Sequence, residues 1–495
     1  MLIKPPRFIL CLLLGALMPF AYAPFNIFII ALLSPALLIL IWSDSSAEQA
    51  FRSGYLFGLT MFGGGVYWLH ISINMFGGVT LVGSILITAA LVAFLSLYPA
   101  LTGYISKRWL SKNEKLWMLI VVPAMWVLSE WCRSWIFTGF PWLNLSYSQS
   151  DTFFSAITPI FGSYGLSWLT IFIAALLALI YRSRGRVSVV GMVMLVLISI
   201  TCLSLGKIDW TRYTGKTINV ALIQAAIPQK LKWLPEMREK SLELYMNLSA
   251  PHWQDDLVVW PETAIPAYPS TIPDFIDKLT QLTSKRQTIF LSGIPSLEHD
   301  SRKYYNSVMM LAGQKTGWYH KHHLVPFGEY LPLKPVLGIL LDFLQIPMSN
   351  FSPGNQSKPI LTNDELSIGI SICYEDTFGE EVIKALPDAE VLVNVSNDAW
   401  FGDSLAPHQH LQMARMRSME SGRYLLRATN TGISAIIDEK GKVLKQSPQF
   451  KATALSAEAK LFQGATPYVV WGNLPIITLA LLFLLFSLLI QKRFY

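Results

Sequence analysis

Three residues that could together transfer an acyl group stand in three short motifs of the sequence. Cys373 is the last residue of "LSIGISIC", Glu262 lies in "DLVVWPETAIP", and Lys321 lies in "YHKHHLVPFGEYLP". A thiol with a pKa of about 8.5 is mostly protonated at neutral pH, so it needs a base or a cation to become a useful nucleophile. Its attack on a carbonyl places negative charge on oxygen, which a fixed ammonium group stabilises. The three residue types form a complete set for acyl transfer through a thioester.

Each motif stands at the end of a predicted strand or in the loop that follows it. Apolar and small residues alternate in 366–373, and a period of two predicts a strand with one apolar face. Pro261 cannot continue a central ladder, so Glu262 should project from the exit of its strand. Seven strands are predicted, at 217–224, 256–260, 288–294, 306–312, 366–373, 391–396 and 432–438, with helices at 236–248, 273–284, 379–386 and 408–423. Segment 217–460 is therefore predicted to be an α/β domain, large enough to bury a full core.

The rest of the chain is too apolar for a soluble protein. Charged residues make up 14% of the sequence, against roughly 25% in a soluble domain. Eight apolar runs approach the roughly 20 residues that a membrane span requires: 8–25, 26–43, 53–74, 78–105, 116–133, 160–181, 187–205 and 469–490. Ala21-Tyr22-Ala23 resembles a signal-peptidase site. Because Pro24 and another apolar run follow at once, we expect the first run to be retained as a helix.

The basic residues lie at the ends of these runs: Lys4 and Arg7; Arg52; Lys107, Arg108, Lys112 and Lys115; Arg182, Arg184 and Arg186; and Lys492 and Arg493. With a cytoplasmic N-terminus, eight spans place every one of these groups on the cytoplasmic side. The net charge of +7 therefore indicates membrane topology and not a nucleic-acid partner. We expect seven spans in 1–205, a catalytic domain outside the cytoplasm in 206–467, and a last span with a cytoplasmic tail in 468–495.

The cysteines leave two interpretations open. Cys11, Cys132 and Cys202 fall in or beside apolar runs, and Cys373 is the one cysteine of the long outer segment. It has no partner there for an internal disulfide, so it is either an inert core thiol or a reactive group.

Other polar residues are candidates for sites of a different kind. His320, His322 and His323 lack a carboxylate or cysteine partner at a defined spacing, so we expect no metal there. His408 and His410 are expected to be polar residues at the start of a helix. Glu130 and Arg133 stand at the outer end of the fifth run, where charges are usually paired or functional. They could be a snorkelling pair that fixes helix depth or a site for a lipid head group.

The motifs "WPET", "K…LVPFGE" and "CYED", in this order, resemble those of the nitrilase superfamily. The resemblance implies an αββα sandwich with Glu262 as general base, Lys321 as oxyanion stabiliser and Cys373 as nucleophile. In the same resemblance Glu329, the second acid of "PFGE", would assist the base or orient Lys321. We expect Tyr374 and Glu375, which follow Cys373, to support the loop of the nucleophile.

A nitrilase-like domain between seven N-terminal spans and one C-terminal span is similar to the apolipoprotein N-acyltransferase family over essentially the whole chain. Segments 137–149, 227–233, 393–423 and 427–438 resemble blocks of that family, and the resemblance implies a functional role for Trp233. We expect Trp233, Trp400 and Phe401 to bind substrate and to exclude water. The resemblance also implies a ping-pong reaction in the bacterial inner membrane. A fatty acyl chain would pass from a phospholipid, typically phosphatidylethanolamine, through Cys373 to the amine of an N-terminal diacylglyceryl-cysteine. No metal or organic cofactor is implied, and a monomer is expected.

Two other functions compete with this one. A membrane-tethered amidase for small molecules would share the triad but would not need the apolar segment 331–348, which is either an arm facing the membrane or a core helix. A transporter with an inactive enzyme domain should show a broken triad and ionisable residues deep in several spans.

Overall fold

The computed structural model describes residues 5–298, 302–330 and 351–492. It contains two compact units, which we describe one at a time. The first unit comprises Met1–His70, Leu81–Asp209 and Val470–Tyr495, and the second comprises Ile71–Thr80 and Trp210–Val469. The apolar segment 331–348, expected to be an arm or a core helix, lies outside the described residues.

The first unit is built from helices, most of which are apolar. They are α1 (Pro5–Leu17), α2 (Ile30–Ser43), α3 (Ala47–Gly65), α4 (Leu69–Phe76, which ends in the second unit), α5 (Leu81–Trp109), α6 (Glu114–Leu116), α7 (Val122–Arg133), α8 (Thr158–Arg182) and α9 (Arg186–Leu205). Among the described residues, four helices are long and apolar enough to cross a membrane, or five if the bent pair α3–α4 counts as one span. Shorter apolar helices at Arg7–Ala21, Ile30–Ser43 and Leu474–Ile490 account for the other predicted runs.

Glycines allow α3 and α5 to approach closely. A Cβ atom on Gly54 would lie 2.6 Å from the carbonyl oxygen of Pro99, and one on Gly58 would lie 2.8 Å from the Cα of Ser96. Small residues four apart permit such close packing between apolar helices, where lipid provides no hydrophobic driving force.

Glu130 and Arg133 hold an irregular segment in place and do not extend toward solvent. Both side chains are buried. Glu130 Oε1 accepts hydrogen bonds from Trp126 Nε1 at 3.0 Å and from the Leu145 amide at 2.9 Å. Arg133 donates to the carbonyl of Phe140 at 3.2 Å. The pair therefore satisfies polar groups of 137–149, which differs from the snorkelling pair that we considered.

The second unit contains two six-stranded sheets. The first has the order β12-β1-β2-β3-β4-β5 and the second the order β11-β10-β9-β8-β7-β6. Their strands are β1 (Arg212–Gln224), β2 (Leu257–Trp260), β3 (Ile289–Glu298), β4 (Lys303–Ala312), β5 (Lys315–His320), β6 (Ile360–Thr362), β7 (Ser367–Ile372), β8 (Val391–Ser396), β9 (Leu425–Thr429), β10 (Ala435–Ile437), β11 (Val443–Gln446) and β12 (Thr453–Gln463). In each sheet three neighbouring strands are parallel, β1-β2-β3 and β7-β8-β9, and the outer strands pair antiparallel.

Helices connect and follow these strands, and some of them cover the outer faces of the two sheets. They are α10 (Gln229–Lys232), α11 (Pro235–Ser249), α12 (Pro273–Arg286), α13 (Gly379–Val382), α14 (Ala406–Ser421) and α15 (Pro467–Trp471), followed by α16 (Leu474–Lys492), which belongs to the first unit. Leu242 and Leu279 pack on one sheet and Leu411 on the other.

The inner faces of the two sheets share one core. Ile368, Ile370 and Ile372 of β7 lie in it beside Val220 and Val259 from the other sheet. The predicted αββα sandwich is therefore confirmed, and so is the apolar face predicted from the alternation in 366–373. All seven predicted strands are present. Five further strands, β5, β6, β9, β11 and β12, were not predicted.

Candidate active site

The structure places Glu262, Lys321 and Cys373 each directly after a strand. Pro261 follows β2 and turns the chain, so Glu262 leaves the sheet as expected. Lys321 follows β5 and Cys373 follows β7. Lys321 Nζ lies 3.8 Å from Glu262 Oε1, and charge interactions with both of these residues act on the Cys373 thiol. The three side chains that the motifs singled out therefore share one site.

A second carboxylate and an amide complete this group. Lys321 Nζ lies 2.8 Å from Glu329 Oε2. Asn306 Nδ2 lies 2.7 Å from Glu262 Oε1 and 2.8 Å from Glu329 Oε1, so one amide bridges the two carboxylates. The Lys321 amide also donates to the Asn306 carbonyl at 2.8 Å. Sequence reasoning missed Asn306, although its position on β4, beside the strand that leads into Lys321, could have indicated it.

The charges of the site set its protonation. Burial lowers the pKa of Lys321, but Glu329 and Glu262 outweigh burial and hold this pKa above its usual range. Burial raises the pKa of the Cys373 thiol, Glu262 raises it further, and Lys321 opposes both effects. At neutral pH the site therefore contains a cationic lysine and a protonated thiol, so a base must take the proton as the sulfur attacks.

The nucleophile candidate sits on a tight turn. Cys373 has a left-handed backbone, with φ +51°, and begins a 3₁₀ turn over Cys373–Thr377. A non-glycine residue with this φ is uncommon and needs support from its surroundings. Glu375 supplies part of it, because Oε2 accepts from the Ile372 amide at 2.7 Å and Oε1 from the His322 amide at 2.7 Å. Burial raises the pKa of Glu375 to about 7, although Lys321 and these amides lower it.

A buried lysine supports the loop that carries Glu262. Lys232 Nζ donates to the Glu262 carbonyl at 3.0 Å and to Thr263 Oγ1 at 2.6 Å. Thr263 has φ +47°, an outlier for a β-branched residue. The turn also packs tightly, because a Cβ on Gly293 would lie 2.4 Å from the Thr263 amide nitrogen. Burial lowers the pKa of Lys232 to about 8, and Glu262 opposes this effect.

The predicted lipid-contacting residues lie on segments that meet this site. Trp233 follows Lys232 directly and is 38% exposed. Gln229 of the same short helix accepts from Asn397 Nδ2 at 2.7 Å, at the start of the turn that carries Trp400 and Phe401. The Trp400 carbonyl accepts from Ser72 Oγ at 2.6 Å.

Further aromatic side chains pack around these segments. The Trp400 ring packs edge-on against Phe76 at 4.8 Å. Tyr374 is buried between rings, 5.1 Å from the centroid of Phe378 and 5.6 Å from that of His323.

Two of the histidines have carboxylate partners. His410 is buried within α14 and lies 2.8 Å from Asp376 and 2.9 Å from Asp398. His410 thus lies near the start of α14, which begins at Ala406, and it is a buried residue with two carboxylate partners. His323 Nδ1 lies 2.7 Å from Glu381. In the part of the chain that the structure describes, no three His, Cys, Asp or Glu side chains converge as metal ligands would.

Comparison with known proteins connects these features to a family. Residues 219–463 match the carbon-nitrogen hydrolase family, and residues 14–176 match the apolipoprotein N-acyltransferase N-terminal domain. Among solved structures, yeast Nit3 of the nitrilase superfamily is 19% identical with a TM-score of 0.39, covering 50% of this chain and 90% of that one.

Three relatives named apolipoprotein N-acyltransferase match nearly end to end. The protein of Methylococcus capsulatus is 44% identical over 94% of this chain and 92% of its own length. That of Nitrosomonas europaea is 41% identical over 94% of each chain, and that of Vibrio cholerae is 38% identical over 93% of each. Identity of this extent, over more than nine tenths of the chain, shows that this chain belongs to the apolipoprotein N-acyltransferase family.

Proposed function

We propose that this protein moves a fatty acyl chain from a phospholipid, through a thioester on Cys373, to the N-terminal amine of a diacylglyceryl-cysteine in apolipoproteins. The relatives carry the name of this activity. The observation that supports the chemistry most strongly is the position of Lys321, 2.8 Å from one carboxylate and 3.8 Å from a second, with its charge acting on the thiol. Both substrates are lipids, which accords with the apolar helices.

In the first half-reaction Cys373 Sγ attacks the ester carbonyl of the phospholipid and Glu262 accepts the thiol proton. Negative charge develops on the carbonyl oxygen, where the Lys321 ammonium stabilises it. The tetrahedral intermediate then collapses, the C–O bond breaks, and the departing lysophospholipid oxygen takes the proton from Glu262. The acyl chain remains on Cys373 as a thioester.

In the second half-reaction the neutral amine of the acceptor attacks the thioester carbonyl. Glu262 removes a proton from the attacking nitrogen, the C–S bond breaks, and the proton returns to the Cys373 sulfur. The product is an amide and the enzyme returns to its starting state. Trp233, Trp400 and Phe401 would line the lipid path and exclude water, which matters because a thioester open to water would be hydrolysed.

The positive-inside pattern supports a multi-pass protein of the inner membrane with both termini in the cytoplasm. We propose seven spans in 1–205, a periplasmic catalytic domain in 206–467 and an eighth span in 468–495. Phosphatidylethanolamine is the proposed donor, and a monomer is the proposed state.

Intact-chain mass spectrometry can separate this function from a membrane-tethered amidase. We would incubate the purified protein with phosphatidylethanolamine in detergent micelles and without an acceptor. A fatty-acyl adduct on the wild type that is absent from Cys373→Ser supports the acyltransferase. Cleavage of small amides without any acyl adduct from phospholipid would instead support the amidase.

A further inference from the structure

A buried cluster of four charged side chains lies beside the nucleophile turn. We infer that one of them, His410, is a positioning residue for Cys373. This inference rests on the proposed role of Cys373. The other members of the cluster, which we call the charge cluster, are Asp376, Asp398 and Arg427. All four side chains are at most 1% exposed.

The contacts within the charge cluster form a closed ring. His410 Nε2 lies 2.8 Å from Asp376 Oδ1, and His410 Nδ1 lies 2.9 Å from Asp398 Oδ1. Arg427 Nη1 donates to Asp376 Oδ2 at 2.7 Å, and Nη2 donates to Asp398 Oδ2 at 3.1 Å. The imidazole and the guanidinium therefore each connect the same two carboxylates.

Those carboxylates belong to the two turns that form the site. Asp376 lies in the Cys373–Thr377 turn, and Asp398 begins the Asp398–Phe401 turn. His410 comes from α14 and Arg427 from β9. The charge cluster thus connects the nucleophile turn to the turn that carries Trp400 and Phe401. It does so through side chains of α14 and β9.

A hydrogen-bonded path leads from the charge cluster to the backbone of Cys373. Asn394 Oδ1 accepts from Arg427 Nη1 at 2.7 Å, while Asn394 Nδ2 donates to the Cys373 carbonyl at 3.3 Å. On the same strand, Ser396 Oγ donates to Asp398 Oδ1 at 3.1 Å. The charge cluster therefore supports the left-handed backbone of Cys373 through Asn394.

Stability alone does not account for the charge cluster. Well-packed apolar side chains of similar volume are often as stable as a buried ion-pair network. What such side chains cannot supply is directional contact with two turns at once. Histidine suits this purpose because its two ring nitrogens point in different directions, so that one rigid group reaches both carboxylates.

The test compares His410→Gln with His408→Gln, which removes a half-buried histidine two residues away on α14, outside the charge cluster. For full-length protein in phosphatidylethanolamine micelles, we would measure the single-turnover rate of Cys373 acylation and its dependence on phospholipid concentration. We expect His410→Gln to slow acylation at saturating phospholipid at least ~10-fold, with half-saturation changed less than about 2-fold. We expect His408→Gln to stay within about 2-fold of wild type.

A double variant separates folding from positioning. His410→Gln alone leaves one uncompensated negative charge, and adding Asp376→Asn restores neutrality. If His410→Gln does not fold, the double variant is measured in its place. The positioning role is supported if the double variant still acylates slowly while its thermal unfolding temperature equals that of the wild type. Acylation at the wild-type rate by either folded variant overturns the inference while leaving the proposed function intact, whereas absence of any wild-type adduct would contradict the proposed function itself.

Discussion

Lys321 Nζ lies 2.8 Å from Glu329 Oε2 and a full ångström farther, 3.8 Å, from Glu262 Oε1. Glu329 is therefore the closer counter-ion of the lysine. Because the ammonium charge is largely balanced by Glu329, Glu262 can accept a proton without first giving up a tight ion pair. The geometry thus gives the two carboxylates different roles. Glu329 supports Lys321, and Glu262 is available to the thiol.

Glu329→Gln should test this division. Without the Glu329 charge, Lys321 is expected to pair tightly with Glu262, so that this carboxylate is no longer available to the thiol. We expect kcat to fall by about 10- to 100-fold with KM for phospholipid nearly unchanged. Steady-state rates with a diacylglyceryl peptide as acceptor measure both parameters. The control is Glu365→Gln, on an exposed residue, and equal rates for the two variants would refute the assignment.

Acylation of Cys373 should depend on both the charge and the shape of the side chain at position 306. Asn306→Leu removes the amide that bridges Glu262 and Glu329, and we expect the rate of Cys373 acylation to fall by about 10- to 100-fold. Asn306→Asp places a third carboxylate against the other two, so it should be slower still. Asn219→Leu, at an exposed position on β1, serves as the control. An aspartate variant as active as wild type would show that the bridge is dispensable.

Lys232→Met should affect catalysis through the strained turn at Thr263. The variant keeps the length of the side chain but loses both hydrogen bonds to the Glu262 loop. We expect kcat to fall by about 10- to 100-fold, because a displaced base transfers protons poorly. Lys230→Met, an exposed position on the same short helix, should remain near wild type. Matching kinetics for the two methionine variants would rule out a role for Lys232.

The stability of the protein should depend on pH through His410. Burial and Arg427 lower the pKa of His410, but Asp376 and Asp398 outweigh them and raise it to about 9 from an ordinary 6.5. A histidine whose pKa is raised on folding contributes stability that is complete below pH 6.5 and lost as pH rises through 9. The contribution at pH 7 is about 2.5 kcal/mol, falling to nearly none at pH 10.

Thermal unfolding temperatures of wild type and His410→Gln between pH 7 and 10 measure this contribution. Lys232 titrates in the opposite sense, since its pKa is lowered on folding to about 8. The informative quantity is therefore the difference in thermal unfolding temperature between the wild type and His410→Gln, which should shrink as pH rises. A difference that stays constant over this range would mean that His410 is not charged in the folded protein.

Structural features that depend on a local sequence pattern were predicted correctly. Alternation in 366–373 placed Cys373 at a strand end, and Pro261 placed Glu262 at a turn, as the structure has them. Residues whose roles arise from partners distant in sequence were missed. Arg427 lies inside the buried strand β9, and a charged residue argues against a buried strand. Its charge is compensated by Asp376 and Asp398, which are distant in sequence. His410 and Asn306 were missed for the same reason.

The central claim is that Cys373 carries the acyl chain between two lipids. The most direct measurement loads the wild type with phosphatidylethanolamine, removes the donor, and adds a diacylglyceryl-cysteine peptide with a free amine. Intact-mass spectra should show the Cys373 adduct disappearing at the rate at which N-acylated peptide appears, and Cys373→Ala should give neither species. An adduct that persists while the peptide is acylated, or acylation of the peptide by Cys373→Ala, would contradict the account.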